Sequence, residues 1–465
     1  MRRPLANALD IDLAGGLTDQ VTPHAGSALL IELGRRSGVI GAAERHLPAT
    51  QSAKGLRQGE LVEAFVVLSA LGGECLDDVE QLRRDRGLAA RLGYDLPAAS
   101  TARHRLDQFH DPVAVSGRPQ PGSFSPAERA GLAGLRAVVE HSVRTSCAAV
   151  PPGPMVTLDV DAHLVEASKQ SALRTYEGCR GYQPLLVSWA ETGLVVADEV
   201  RDGNVPARPR IKELVDQAAA ALPQRSADDP WQVSVRSDSA AYEPATLDHW
   251  HTRRWRCAVS ADLSPALQRE IVALPPEVWT GCGQETTGVI REWAEVAYVP
   301  SRTTETQAAP VYRELAIRIR IPQGVLFGDG ASVKHCAVVT TDWATDGRHR
   351  LAWQRGKAGT SEHVNHVLKN ELAAGVDPSD TFGAPAAWLR LHVLTLNLLE
   401  LLTATALDEQ YRRARPKRRR FAVFTQFGRV GRHARSQRLR LTTRALDALL
   451  RPGRRRIRVV AWAGP

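Results

Sequence analysis

The sequence predicts a mixed α/β fold in parts: a helical N-terminal region, an α/β core, a β-rich insertion that interrupts that core, and a basic C-terminal segment. Three observations carry this reading. Between about 155 and 261, runs that alternate apolar and polar residues have the period of strands, and a helical repeat separates them. Between 262 and 345 the alternation continues without that repeat. The net charge of +9 is also unevenly spread, with 18 Arg and Lys against one acid, Asp447, from Tyr411 to Pro465. At 465 residues the chain is too long for one core.

Residues 1–111 read as helical. "GELVEAFVVLSAL" and "CLDDVEQLRRDRGLAARL" repeat their apolar residues at helical spacing and break at Gly72-Gly73. Ser100 is placed to cap "TARHRLDQFH", a helix exposing Arg103 and Arg105 and compatible with a DNA major groove. Residues 112–126 hold nine Pro, Gly or Ser among fifteen and read as a linker. Ser125-Pro126 then starts a helix to about Arg144.

The first core part, 127–261, contains strands at about 155–162, 182–190 and 193–200. A helix at 207–222 follows, with Ile211, Leu214, Val215, Ala218 and Leu222 on one face. Then come the strand "WQVSVRSD", a helix at 243–251 and the strand "RWRCAVS". Three strands, a crossover helix and a parallel strand is the opening order of an RNase H-like sheet, an order several other α/β folds share. In the insertion, 262–345, "GVIREWAEVAYV" and "YRELAIRIRI" alternate, and "GDG" at 328–330 marks a tight turn. The second core part, 346–410, holds a helix at about 361–374 and the apolar helix "AAWLRLHVLTLNLLELLTATAL". In the final segment, 411–465, "RRARPKRRR" is followed by patterned apolar residues, so this part folds in part and suits a polyanion, most simply nucleic acid.

Several classes are excluded. No window of about 18 apolar residues exists, so no membrane span is expected. "MRRPLANALDIDLAGG" lacks the apolar run of a secretory signal. The six cysteines form no CxxC pair, which excludes a zinc ribbon and fits a reducing cytoplasm. HExxH, Walker A and G-x-S-x-G patterns are absent from the sequence.

The chemistry sits in three segments. In "MVTLDVDAHLVE", Val156, Leu158 and Val160 alternate with Thr157, Asp159 and Asp161. Two carboxylates on one strand face repel, and either solvent or a bound cation must relieve them. Asp161 ends the first strand and Asp238 the fourth, so both reach the carboxyl edge of a sheet if the strands are parallel neighbours. In "GTSEHVNHVLKNEL", a helical wheel groups Glu362 with Asn365, His366 and Lys369, opposite Val364, Val367 and Leu368. Three carboxylates from separate elements suit two hard divalent ions in phosphodiester cleavage, and Lys369 suits a DNA phosphate.

Taken together these segments resemble the DDE transposases of bacterial insertion sequences, in the superfamily named after insertion sequence four and nearest its 1380 branch. "LDVDAHLVEA" resembles the first-Asp strand, "GYQPLLV" with "RDGN" the next hairpin, and "VRSDSAAY" the second-Asp segment. "GTSEHVNHVLKNELAAG" resembles the Glu helix, and "FGAPAAWL" the start of the last core helix. The resemblance implies that Asp161, Asp238 and Glu362 form a catalytic triad holding two Mg²⁺, with Mn²⁺ able to substitute. Asp161 is preferred to Asp159 because a small residue follows it, with His163 where the family has Ser or Thr. Lys369 matches a DNA-contacting lysine. Arg355 stands at the family's tyrosine and Ala358 at its arginine, with Lys357 available as a substitute; Pro385 replaces an asparagine.

The resemblance further implies a homodimer on DNA, terminal inverted repeats and target DNA as partners, a hairpin intermediate, and a nucleoid-associated cytoplasmic location. Relatives carry an aromatic in the insertion that holds a flipped base, and Trp279 and Trp293 are the candidates here. His366, Arg418, Arg419 and Arg420 complete the expected DNA contacts. A non-catalytic DNA-binding descendant of a transposase and another RNase H-like nuclease remain alternatives.

Overall fold

The structure, a computed structural model, describes residues 21–49, 55–118, 125, 127–169, 172–283, 289–297, 312–320, 332–433 and 436–442. The "GDG" turn and the basic residues after 442 lie outside these.

Among the described residues the largest sheet has nine strands. In chain order they are β1 (Met155–Ala162), β2 (Leu185–Trp189), β3 (Leu194–Glu199), β4 (Gln232–Ser237), β5 (Arg256–Ser260), β6 (Thr280–Gly281), β7 (Ile290–Val296), β8 (Arg313–Arg320) and β9 (Val333–Thr340). In space they run β6-β7-β8-β9-β5-β4-β1-β2-β3. β1, β4 and β5 are parallel neighbours, while β2 and β3 continue antiparallel from β1. On the other side, β9 pairs antiparallel with β5, and β8, β7 and β6 follow. The β-rich segment therefore extends the central sheet instead of forming a separate layer.

The helices that matter are α1 (Gln58–Leu71), α2 (Ala130–Ala149), α3 (Ile211–Ala221), α4 (Gly347–Glu371) and α5 (Gly383–Thr405). α3 supplies the crossover between β3 and β4, and its apolar stripe Ile211, Leu214, Val215 and Ala218 is buried as the periodicity predicts. α5 is apolar on every face and buried along nearly its whole length. Most of its polar groups are paired internally, although His392, whose Nδ1 meets Trp388 O at 2.6 Å, leaves Nε2 buried with no partner among the described residues. Arg390 pairs with Asp198 and Glu128, and Asn397 bonds both backbone groups of Val195.

α5 is the common spine. One apolar cluster joins α1 and the other N-terminal helices to α5, to Val364, Val367 and Leu368 of α4, and to Val423 and Phe424 of the basic segment. The boundary drawn at residue 111 thus cuts through a continuous core. The basic segment is also tied in by its backbone, since Gly428–His433 pairs with Val21–Thr22. Part of the expected linker is a helix, Pro112–Ser116, capped by Asp111; residues 119–124 and 126 lie outside the description. Among the described residues, no helix is long and apolar enough to cross a membrane.

Candidate active site

β1 is buried on both faces, unlike the half-solvated strand its alternation predicts. The face carrying Asp159 and Asp161 is covered by α4. This helix begins fourteen residues before the expected start, at the cap Asp346, whose carboxylate accepts from Arg348 N at 3.0 Å and His349 N at 3.4 Å.

Asp159 meets a buried cation. The in-register neighbour of Asp159 on parallel β4 is Arg236. Its guanidinium grips Asp159 with two hydrogen bonds, 2.6 and 2.7 Å, and also donates to Trp353 O of α4 at 2.6 Å. Thr360 of α4 donates to the same carboxylate. Gly356 leaves room for this arginine, because a Cβ there would lie 2.8 Å from Arg236 Nη1. Gln354 adds a bond to Ser260 Oγ of β5 at 3.1 Å. A paired, fully hydrogen-bonded charge is what burial at this depth requires. The clamp fixes α4 over the carboxyl edge of β1, β4 and β5.

Two residues along β1, Asp161 sits at that edge and is partly buried. Lys357 Nζ donates to Oδ1 at 2.7 Å and Asn365 Nδ2 to Oδ2 at 2.5 Å. Burial pushes its carboxyl above the ordinary aspartate range; Lys357 pulls it down, and the charges of Asp238 and Glu362 push it up again. Asp238 follows the last residue of β4, is exposed, and accepts from Ala240 N at 3.1 Å. Glu362 is exposed on α4. The three predicted acids therefore share one electrostatic neighbourhood. They do not form a closed ligand set: among the described residues no three His, Cys, Asp or Glu side chains are gathered tightly enough to hold a metal ion.

The helical wheel is matched around Glu362. Val364, Val367 and Leu368 are buried, while His366 and Lys369 are exposed. Lys369 Nζ donates to Leu164 O at 3.2 Å. His366 lies 3.3 Å from Arg415 of the basic segment, and Arg355 is exposed. Among the described residues neither ring nitrogen of buried His163 has a partner, and burial, reinforced by Lys369, pushes it down to about 4. Arg236 and Thr360 were not anticipated, and Asn365, expected on the face of Glu362, takes the added task of bonding Asp161. The available signal was Arg236 itself, a charge within the apolar strand "VSVRS" that needs a buried partner.

Other expected contacts take different places. Trp293 packs in an apolar cluster with Leu315, Val338 and Leu351, under Gly347, where a Cβ would meet its ring at 2.3 Å. Trp279 packs against Leu267, Ile271 and Ala316, with the Arg318 guanidinium 4.3 Å over its ring. Neither ring is a free surface aromatic. Arg419 is 2% exposed and paired with Glu400 at 2.8 Å. Arg420 turns inward to Ala70 O at 3.1 Å and Glu371 O at 2.7 Å, closing the end of α1, and burial pulls its pKa down. Those two arginines are spent on the fold, because the chain turns there to bury Val423 and Phe424. Arg418 is exposed.

Residues 7–458 match the family described as Transposase DDE domain group 1. No curated protein sequence is significantly similar to the chain. Among solved structures, the chain is similar to a piggyBac transposase in a synaptic complex with hairpin DNA, at 10% identity and a TM-score of 0.43, over 81% of this chain and 74% of that one.

Proposed function

We propose that this chain, which belongs to the family of transposases with a DDE domain, cleaves and rejoins DNA at the inverted-repeat ends of an insertion sequence, with Asp161, Asp238 and Glu362 as its acidic triad. The observation that carries this is the placing of Asp161 and Asp238 at the carboxyl ends of neighbouring parallel strands, with α4 clamped across the same edge by Arg236. The order β3-β2-β1-β4-β5 supports an RNase H-like core, in which sites lie at that edge. A place within the superfamily named after insertion sequence four, in its 1380 branch, rests on the sequence motifs.

The donor chemistry suits hard divalent ions: a partly buried carboxylate, Asp161, feels the charges of two exposed ones, Asp238 and Glu362, and carboxylate oxygen is what such ions take. Asp161, Asp238 and Glu362 would hold two Mg²⁺ or Mn²⁺. Such ions, when bound, activate a water or a 3′-hydroxyl and stabilise the leaving oxygen. The protein's own residues then have these tasks. Arg236 and Asp159 hold α4 in register. Lys369, His366, Arg355, Arg415 and Arg418 offer donors to phosphates along the exposed face. A first nick by water and attack of the new 3′-hydroxyl on the opposite strand would give a hairpin intermediate. Synapsis of two ends would need two protomers.

The test is cleavage of end-bearing DNA with Mg²⁺ by wild type and by Asp161→Asn, Asp238→Asn and Glu362→Gln. Loss of cleavage with DNA binding retained is expected of each variant. Retained cleavage in all three removes the assignment.

A further inference from the structure

We propose that Lys357 is an internal counter-ion that keeps the triad closed to divalent cations until DNA is bound, when its ammonium passes from Asp161 to a DNA phosphate. This rests on the triad reading above and adds to it a coupling between DNA binding and metal loading.

The contacts argue as follows. Both Asp161 oxygens are engaged, Oδ1 by Lys357 and Oδ2 by Asn365. The lysine is 9% exposed, unusual for this residue, and its stem lies on the inward side of α4 with Ser361, whose hydroxyl bonds Lys357 O at 2.8 Å. An ammonium 2.7 Å from Oδ1 occupies the side of the carboxylate a cation would take. A divalent ion sits about 2.0–2.6 Å from its oxygens, so it and the ammonium would be forced close together, which like charges resist. Lys357 must therefore leave before the carboxylates can close on ions.

The lysine has somewhere to go. Its ammonium lies at the rim of the sheet, where Asp238 and Glu362 beside Asp161 are both exposed, so a DNA backbone can approach it there. A phosphate there offers the ammonium a new anion as Asp161 is given up. Lysine suits the exchange, since its ammonium is a point charge on a flexible stem with no fixed hydrogen-bond fork. Asn365 is neutral and can stay with Asp161 throughout.

The experiment measures Mn²⁺ affinity without DNA, by calorimetry and by the Mn²⁺ electron paramagnetic resonance signal, on the full chain. Lys357→Met should bind Mn²⁺ at least about tenfold more tightly than wild type, within the range usual for coupled sites. Lys357→Gln should do likewise, and Lys357→Arg should not. Wild type should gain the same factor when an end-bearing duplex is added. Lys357→Met and Lys357→Gln binding no more tightly than wild type would overturn the counter-ion role. If Asp161→Asn in the Lys357→Met background then still abolishes binding, the triad reading survives that failure. Tight binding that persists without the Asp161 carboxylate would overturn both.

Discussion

Glu314 makes the sharpest stability prediction. It lies in β8, is 1% exposed, and has the apolar cross-strand neighbours Val296 and Val339. Among the described residues neither oxygen has a hydrogen-bond partner. Burial alone pushes its carboxyl from 4.5 up to about 8. The folded protein thus binds this proton more tightly than the unfolded chain. Stability from the group is fully present below about pH 4.5, falls as pH rises, and is gone above about pH 8. Within that window each pH unit removes about 1.4 kcal/mol. Between pH 5 and pH 8 the loss is about 4 kcal/mol. Glu314→Leu removes the titration and fills the same apolar space. Urea unfolding of both proteins at the two pH values should show the variant's advantage growing by about that amount. Curves that shift in parallel, leaving the gap unchanged, would refute the reasoning and mean that Glu314 is hydrated or paired in solution.

Three further outcomes follow from the clamp and the basic segment. Arg236→Met strands the Asp159 carboxylate in the interior and should cost about 3–5 kcal/mol in urea unfolding, since one partner of a buried pair is removed. Gly356→Ala brings a methyl to 2.8 Å from Arg236 Nη1; a loss of about 1–3 kcal/mol is expected, with slower DNA cleavage as α4 shifts over Asp161. Arg418→Ala should lower the slope of log affinity against log salt by about one for end-bearing DNA, while Arg419→Ala, whose charge faces Glu400, should leave that slope unchanged and lower stability instead.

What the sequence made legible follows from the range of the forces involved. β1, β4 and α3 show their period in the apolar residues, because each packs a stripe of neighbours that are local in sequence. α5 reads as helical for a similar reason. The start of α4 was hidden by "GRHRLAWQRGKAGT", where glycines and threonine weaken helix propensity. That half-helix is held by Asp346 at its cap and by Arg236 reaching Trp353 O from another strand. Only the second contact requires the tertiary fold, and it is the one that explains Gly356. The packing of the candidate tryptophans was not legible for a related reason. A strand alternates its side chains, but alternation cannot say which face a later helix will cover, and Gly347 of α4 closes over Trp293.

The acids themselves divide by depth. Asp159 and Asp161 share a strand face, so periodicity treats them alike. The structure separates them by what lies opposite. Asp159 faces a guanidinium that is fixed by two further α4 groups and is itself buried, so its charge is permanently matched. Asp161 faces an ammonium on a flexible stem at the rim of the sheet, beside two more acids. A rigid, forked, buried partner stabilises the scaffold, while a mobile point charge at an edge can be exchanged for another cation. That difference in partner assigns Asp159 to holding the sheet and α4 together and is the reason the proposed exchange of ligands is placed at Asp161.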